Sequence, residues 1–211
     1  MNQSLEPKYL ERFRLPLHLI ERKPQVVLAT RSPRRLELFK AYGLPFISQG
    51  ADLPEEPFDG ELPEDFARRL ALEKAEAVAR DFPGALVMGA DTVVACEETI
   101  LGKPEDEPDA ERMLRMLSGR THRVITGVAL VMKDKDIRHV FIDITFVRFR
   151  PLSNRDIAGY IQSGEPLDKA GAYGIQGGAG KFVEHCGGSY TNVVGLPMEA
   201  LHKALATMLN P

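Results

Sequence analysis

Apolar positions divide the chain into short strand-like runs and longer helical stripes. Gln25–Thr30 is a compact run rich in β-branched residues and reads as a buried strand. It runs into Arg31-Ser32-Pro33-Arg34-Arg35, where Ser32 suits an N-cap and Pro33 the first helical turn. Leu36, Leu38, Phe39 and Tyr42 supply the apolar side of that helix, and Gly43 ends it. Residues 45–49 form a second short strand, and the acidic, Pro-containing stretch 50–62 reads as a loop. Phe66, Leu70, Ala71, Ala75 and Val78 recur at helical spacing between Asp65 and Asp81.

The pattern then turns to strands. Ala85–Gly89 runs into Ala90-Asp91-Thr92, Val93–Cys96 continues as strand, and Ile100-Leu101 returns after a turn. Pro108–Leu117 is helical, with Gly119 just past its end. Val124–Met132 and Ile137–Phe149 are β-patterned runs joined by Lys133–Asp136, a hairpin. Ser153-Asn154-Arg155-Asp156 has the form of a capping box opening a helix through Gln162. A Gly-rich, loop-rich segment covers 164–195, and Pro197–Leu209 is a last amphipathic helix. Helices and strands alternate early and a hairpin follows late, which makes the fold class mixed α/β.

Composition narrows the function classes. The chain has 211 residues, 44% apolar and 27% charged, with net charge −3. That is an ordinary globular balance, and the slight acidic excess makes a nucleic-acid partner unexpected. No apolar run approaches the roughly 20 residues of a membrane span. Residues 1–24 carry frequent charge and no apolar core of a secretory signal, so a cytoplasmic location is expected. Tyr9, Leu10, Phe13, Leu15, Leu17 and Leu19 could pack within this extension. Cys96 and Cys186 lie in unrelated contexts and build no disulfide framework, and the five histidines form no metal-spaced pair.

The candidate chemistry is polar and non-covalent. Arg31, Arg34 and Arg35 crowd a strand-to-helix junction, where free N–H groups and the helix dipole favour an anion such as phosphate. A solvated basic turn is the competing reading. Asp91 follows a buried strand, where α/β clefts open, and could hold a metal or accept a proton from water. A turn Asp bonding its own backbone is equally compatible. Glu55, Glu56, Lys74 and Lys103 are isolated charges, of which Lys103 stands out because Gly102 and Pro104 fix its backbone. The stretch 169–178 is Gly-rich and carries Tyr173 and Gln176, groups suited to a nucleobase edge. No G-x-S-x-G elbow occurs, so covalent catalysis has no support. The set points to hydrolysis of a phosphate ester or anhydride.

These segments, in order, resemble the Maf family of nucleotide pyrophosphatases, also called septum formation inhibitor proteins. The resemblance is carried by Leu28–Arg35, Arg69–Ala75, Gly89–Val94, Gly102–Pro104, Leu117–His122, Pro166–Gly177 and Val194–Pro197. It covers the chain from about Val26 to the C-terminus, which divides the sequence into an extension, 1–24, and a Maf-like domain, 25–211. Thr30-Arg31 departs from the small residues frequent at that place.

The resemblance implies a mixed twisted sheet with flanking helices and two lobes around a deep nucleotide-binding cleft. It implies hydrolysis of a nucleoside triphosphate to the monophosphate and pyrophosphate, assisted by a divalent cation, Mg2+ or Mn2+. Asp91 would be the proton acceptor or a metal ligand. Ser32, Arg34, Arg35, Lys74 and Lys103 would face the phosphates, with Glu55 at an acidic loop position. Arg34, Thr92 and Gln176 resemble the specificity positions of the branch acting on dTTP and UTP. Housekeeping of modified nucleotides and a link to septum formation are further implications, and a homodimer is compatible with such a cleft. The alternative is a non-enzymatic nucleotide-binding regulator.

Overall fold

The computed structural model describes residues 7–15 and 24–209. Element order is α1 (Pro7–Glu11), β1 (Val26–Leu28), α2 (Pro33–Lys40), β2 (Phe46–Ser48), α3 (Pro63–Ala79), β3 (Leu86–Cys96), β4 (Thr99–Leu101) and α4 (Glu107–Leu117). There follow β5 (Thr121–Met132), β6 (Ile137–Phe149), α5 (Asn154–Ile161), β7 (Val183–Gly187), α6 (Tyr190–Val194) and α7 (Met198–Leu209). The described strands form one seven-stranded sheet in the order β2-β1-β3-β5-β6-β7, with β4 paired to β3 off this path. β1 runs parallel to β2 and β3, and the other pairings are antiparallel.

One face of the sheet is covered by α3. Its small residues Ala67, Ala71 and Ala75 let its backbone approach β3 and β5 closely. The strands answer with glycine at the two contact points. A Cβ on Gly89 would stand 2.2 Å from the Ala71 carbonyl oxygen, and one on Gly127 would stand 2.2 Å from that of Ala67.

The opposite face carries two apolar clusters, one at each end. The first joins Leu38 and Phe39 of α2 and Leu201 and Leu205 of α7 to Leu28, Met88 and Val128. The second joins Leu114 and Leu117 of α4 and Ile157 and Tyr160 of α5 to Val94, Val124 and Phe149. These clusters are the cores of two lobes, and the cleft lies between them.

The pairing of β3 explains where the cleft opens. β1 pairs with Leu86–Met88 only, and β4 with Val94–Cys96 only. On that edge Gly89–Val93 has no neighbouring strand, while β5 pairs the other edge from Val87 to Ala95. Asp91 and Thr92 therefore sit mid-strand at an open edge, and their side chains emerge on opposite faces.

The sequence expectations hold for every one of these helices and strands from β1 onward within a few residues, apart from β7 and α6, which fall inside the stretch read as loop. Two details are corrected. Asp91 does not follow a strand; polar residues within an apolar run read as a break, but the strand passes through them unbroken. Ser32 occupies the N-cap position of α2 without a side-chain cap, and its backbone N–H is taken by Thr30 Oγ1 at 3.1 Å. The capping box at Ser153 and Asp156 is present in both directions. Of the apolar residues in the extension, Phe13 and Leu15 are buried against the first lobe, where the Leu15 N–H donates to the Tyr42 carbonyl at 3.2 Å. Leu17 and Leu19 lie outside the described residues.

Candidate active site

A cavity of about 1050 Å3 fills the cleft. Ser32, Arg34, Arg35, Glu55, Lys74, Asp91, Thr92, Lys103 and Gln176 all line it. They come from six separate stretches of chain, so the fold gathers the residues that the sequence singled out one at a time.

The centre on the α3 face is Lys74. It is buried, and its Nζ lies 2.6 Å from Asp91 Oδ1 and 2.5 Å from Glu55 Oε1. The close approach of α3 to Gly89 and Gly127 brings this helical lysine to the strand aspartate. A buried charge survives only when paired and hydrogen-bonded, and here each charge is. The turn-aspartate reading is set aside, because Asp91 accepts from Lys74 of α3 rather than from its own backbone.

Glu55 arrives from the 50–62 loop, and Arg69 fastens that loop to α3. Arg69 donates to Glu61 at 2.7 Å and to the Glu56 carbonyl at 3.0 Å, and its guanidinium lies 3.9 Å from the Phe58 ring centre. Lys103 Nζ stands 3.8 Å from Glu55 Oε2. Burial works to raise the Glu55 carboxyl, but the hydrogen bond and charge of Lys74, backed by Lys103 and Arg35, outweigh it. The group is held below the usual glutamate value.

Arg35 lies deep on the other side of the open edge. Its Nε donates to the Gly195 carbonyl at 2.8 Å and its Nη2 to Thr92 Oγ1 at 2.9 Å. Burial lowers its pKa, against the attraction of Asp91 and Glu55, which favours the charge. Arg34 is half-exposed at the rim, 3.9 Å from Asp168. Arg31 turns to Asp52 through bonds of 2.8 and 3.2 Å and is mostly exposed. Gln176 is exposed in the Gly-rich loop. That loop is held by Glu165, which accepts from Tyr160 Oη at 3.0 Å and from the Gly178 N–H at 2.9 Å.

Among the described residues no three His, Cys, Asp or Glu side chains cluster as a self-sufficient metal cage. Two carboxylates facing one cavity are a different kind of site. Mg2+ commonly takes one or two protein carboxylates and completes its shell with water and substrate phosphates. Asp91 and Glu55 fit that role.

Residues 25–208 match the Maf-like protein family. The chain belongs to the Maf family. A dTTP/UTP pyrophosphatase of Geobacter sulfurreducens is 52% identical over 176 residues, 83% of this chain and 92% of the relative. A dTTP/UTP pyrophosphatase of Bacillus cereus is 46% identical over 185 residues, 88% of this chain and 90% of that one. Among solved structures, a HAM1 protein from Coxiella burnetii superposes with a TM-score of 0.50 at 16% identity, covering 87% of this chain and 99% of that one. This last likeness shows that the Maf fold here shares its architecture with HAM1.

Sequence reasoning missed Thr126 and Asn192, both fully buried beside Thr92. Thr126 is the register partner of Thr92 on β5, and Asn192 comes from α6, about a hundred residues beyond β3. For Thr126 the only local signal was a threonine inside each of the apolar strands β3 and β5, meaningful once the register was known, and Asn192 had none.

Proposed function

We propose that this Maf-family protein is a nucleoside triphosphate pyrophosphatase that hydrolyses dTTP and UTP to the monophosphate and pyrophosphate. The observation that carries the reading is the Glu55–Lys74–Asp91 cluster at an open strand edge, inside a cavity large enough for a nucleotide. The dTTP/UTP pyrophosphatases at about 50% identity support the same activity. Residues 25–211 act as the catalytic unit in this reading, with 1–24 as an extension.

Asp91 orients the attacking water, and its second carboxylate oxygen accepts the proton as the water reaches the α-phosphorus. Lys74 pairs with both Asp91 and Glu55 and offsets the repulsion between the two carboxylates. Arg34, Arg35 and Lys103 take the triphosphate oxygens, with Ser32 and the free N–H groups at the start of α2. A divalent cation held by Asp91 and Glu55 would disperse negative charge on the phosphates when bound. Thr92 and Gln176 contact the base.

The test is product analysis on dTTP, UTP, CTP, GTP and 7-methyl-GTP, with and without Mg2+ or Mn2+, scoring pyrophosphate separately from phosphate. Metal-dependent pyrophosphate release from dTTP and UTP is expected. Silence across the panel from folded protein would overturn the reading in favour of a nucleotide-binding regulator.

A further inference from the structure

Thr92 sits at the end of a chain of hydrogen bonds whose directions follow from the chemistry of the donors. Thr126 Oγ1 lies 3.1 Å from the Asn192 carbonyl oxygen. A carbonyl only accepts, so the single Thr126 hydroxyl proton points to Asn192. Thr92 Oγ1 and Thr126 Oγ1 are 2.9 Å apart. With its own proton committed, Thr126 is the acceptor there, and Thr92 is the donor. Arg35 Nη2, a donor without exception, fills one lone pair of Thr92 Oγ1 at 2.9 Å. Thr92 is left with one open lone pair and no free proton.

The far end of this relay is fixed. Asn192 is fully buried, and its Nδ2 donates to the Val124 carbonyl and to Thr145 Oγ1, both at 2.9 Å. Val124 O can only accept, which settles which way the amide faces. Thr145 gives its own proton to the Ser189 carbonyl at 3.0 Å. The start of α6 is thereby sewn to β5 and β6, and the carbonyl that polarises Thr126 cannot drift away.

We propose that Thr126 is a specificity-determining positioning residue. By drawing the Thr92 proton away from the cavity, it makes Thr92 an acceptor only, which selects a pyrimidine that presents N3–H. Uracil and thymine carry that proton, whereas cytosine offers a lone pair at N3. Gln176 does not discriminate by itself, because its exposed amide can present either its N–H or its oxygen. A hydroxyl free to rotate would serve both bases equally; the tied one faces cytosine lone pair to lone pair. The inference rests on the pyrimidine-triphosphate reading above and adds to it the residue that sets the polarity of base recognition.

The experiment measures kcat/KM for UTP and CTP in wild type, Thr126→Val and Thr126→Ser, with N3-methyl-UTP as a third substrate for wild type. Thr126→Val lets Thr92 turn its proton toward the ligand. The UTP:CTP ratio is expected to fall about tenfold or more, mainly through KM. Thr126→Ser keeps the hydroxyl and is expected to hold the ratio within about twofold. Wild type is expected to reject N3-methyl-UTP about as strongly as CTP, a result that does not depend on any variant folding.

Three results would overturn the proposal: an unchanged ratio in folded Thr126→Val, an equal loss of ratio in Thr126→Ser, or turnover of N3-methyl-UTP matching that of UTP. Each leaves the pyrophosphatase reading intact. Absence of pyrophosphate release from both UTP and dTTP in wild type overturns that reading and this inference together.

Discussion

The two faces of β3 present different physics to the cleft. On the α3 face stand Glu55, Lys74 and Asp91, with Lys74 within hydrogen-bond distance of both carboxylates. On the other face Thr92, Thr126 and Asn192 form a neutral relay, entered by a single cation, Arg35. Adjacent residues on one strand thus serve ionic chemistry and directional reading. The difference shows how five strand residues with one free edge can separate the two tasks. Charges act over several ångströms and tolerate small displacements, so the ionic face suits metal and water, and Arg35 carries charge to the other face for the phosphates. Neutral hydrogen bonds discriminate by direction, so the relay suits a base edge.

The sharpest way to separate the faces is Asp91→Asn. It keeps the shape and removes the proposed proton acceptor. Turnover of UTP should fall by about 10²–10⁴-fold, while the UTP:CTP preference of the residual activity stays as in wild type. Pyrophosphate assays with both nucleotides check this, and wild-type turnover would remove Asp91 from its role.

Lys74→Met comes next. It leaves two carboxylates facing each other, one of them buried, and breaking such a buried pair costs about 3–5 kcal/mol. Urea denaturation near neutral pH should show that loss as a lowered midpoint, and an unchanged midpoint would remove the pairing from its role.

The faces should also part in their response to acid. On the reading face, burial depresses His122 to about 4. Its Nε2 meets Tyr173 Oη at 2.8 Å, and Tyr173 lines the cavity. The unfolded chain takes up a proton at the ordinary histidine value of 6.5 and the folded one does not. Stability contributed by neutral His122 is therefore complete above 6.5 and is lost as pH falls from 6.5 toward about 4. The full loss is of order 3 kcal/mol. On the ionic face, Glu55 is held below its ordinary value of 4.5, so its contribution is complete above 4.5, is lost only as pH falls further, and adds little slope between 6.5 and 4.5. Denaturation curves between these limits should flatten in His122→Phe and keep their slope in Glu55→Gln.

The smallest effect is expected from Arg69→Ala, which frees the loop that delivers Glu55 without touching the relay. KM for UTP should rise several-fold and the UTP:CTP ratio should hold, at a stability cost of about 1–3 kcal/mol from leaving the mostly covered Glu61 carboxylate unpaired. A changed base preference in this variant would break the separation of the faces.

Much of this site was legible beforehand, one residue at a time. The strand, Ser32, Pro33 and arginine cluster of 25–35 announced a strand-to-helix junction, because N-capping types and proline at the first turn are local preferences. Asp91, Lys74 and Lys103 were legible through the resemblance to the Maf family. Glu55 was legible as an acidic loop position through the same resemblance, but its pairing with Lys74 was not, because nothing local relates a loop carboxylate to a lysine nineteen positions further on. Thr126 and Asn192 were illegible as site residues: a threonine in a strand and an asparagine near a glycine are commonplace, and their meaning lies in hydrogen-bond partners 34 and 66 positions distant.

By itself the sequence determined most strands and helices, the capping box at Ser153 and Asp156, the mixed α/β class and the stock of cationic side chains. Each of these follows from period, propensity and local hydrogen bonding, which act within a few residues. Only the tertiary structure decided that β1 and β4 stop short of one another along β3, that glycines at 89 and 127 admit α3 close enough to set Lys74 on Asp91, and that Thr92 faces the cavity with its proton already spent. Those outcomes depend on strand register and layer spacing, which are fixed when distant apolar surfaces pack together.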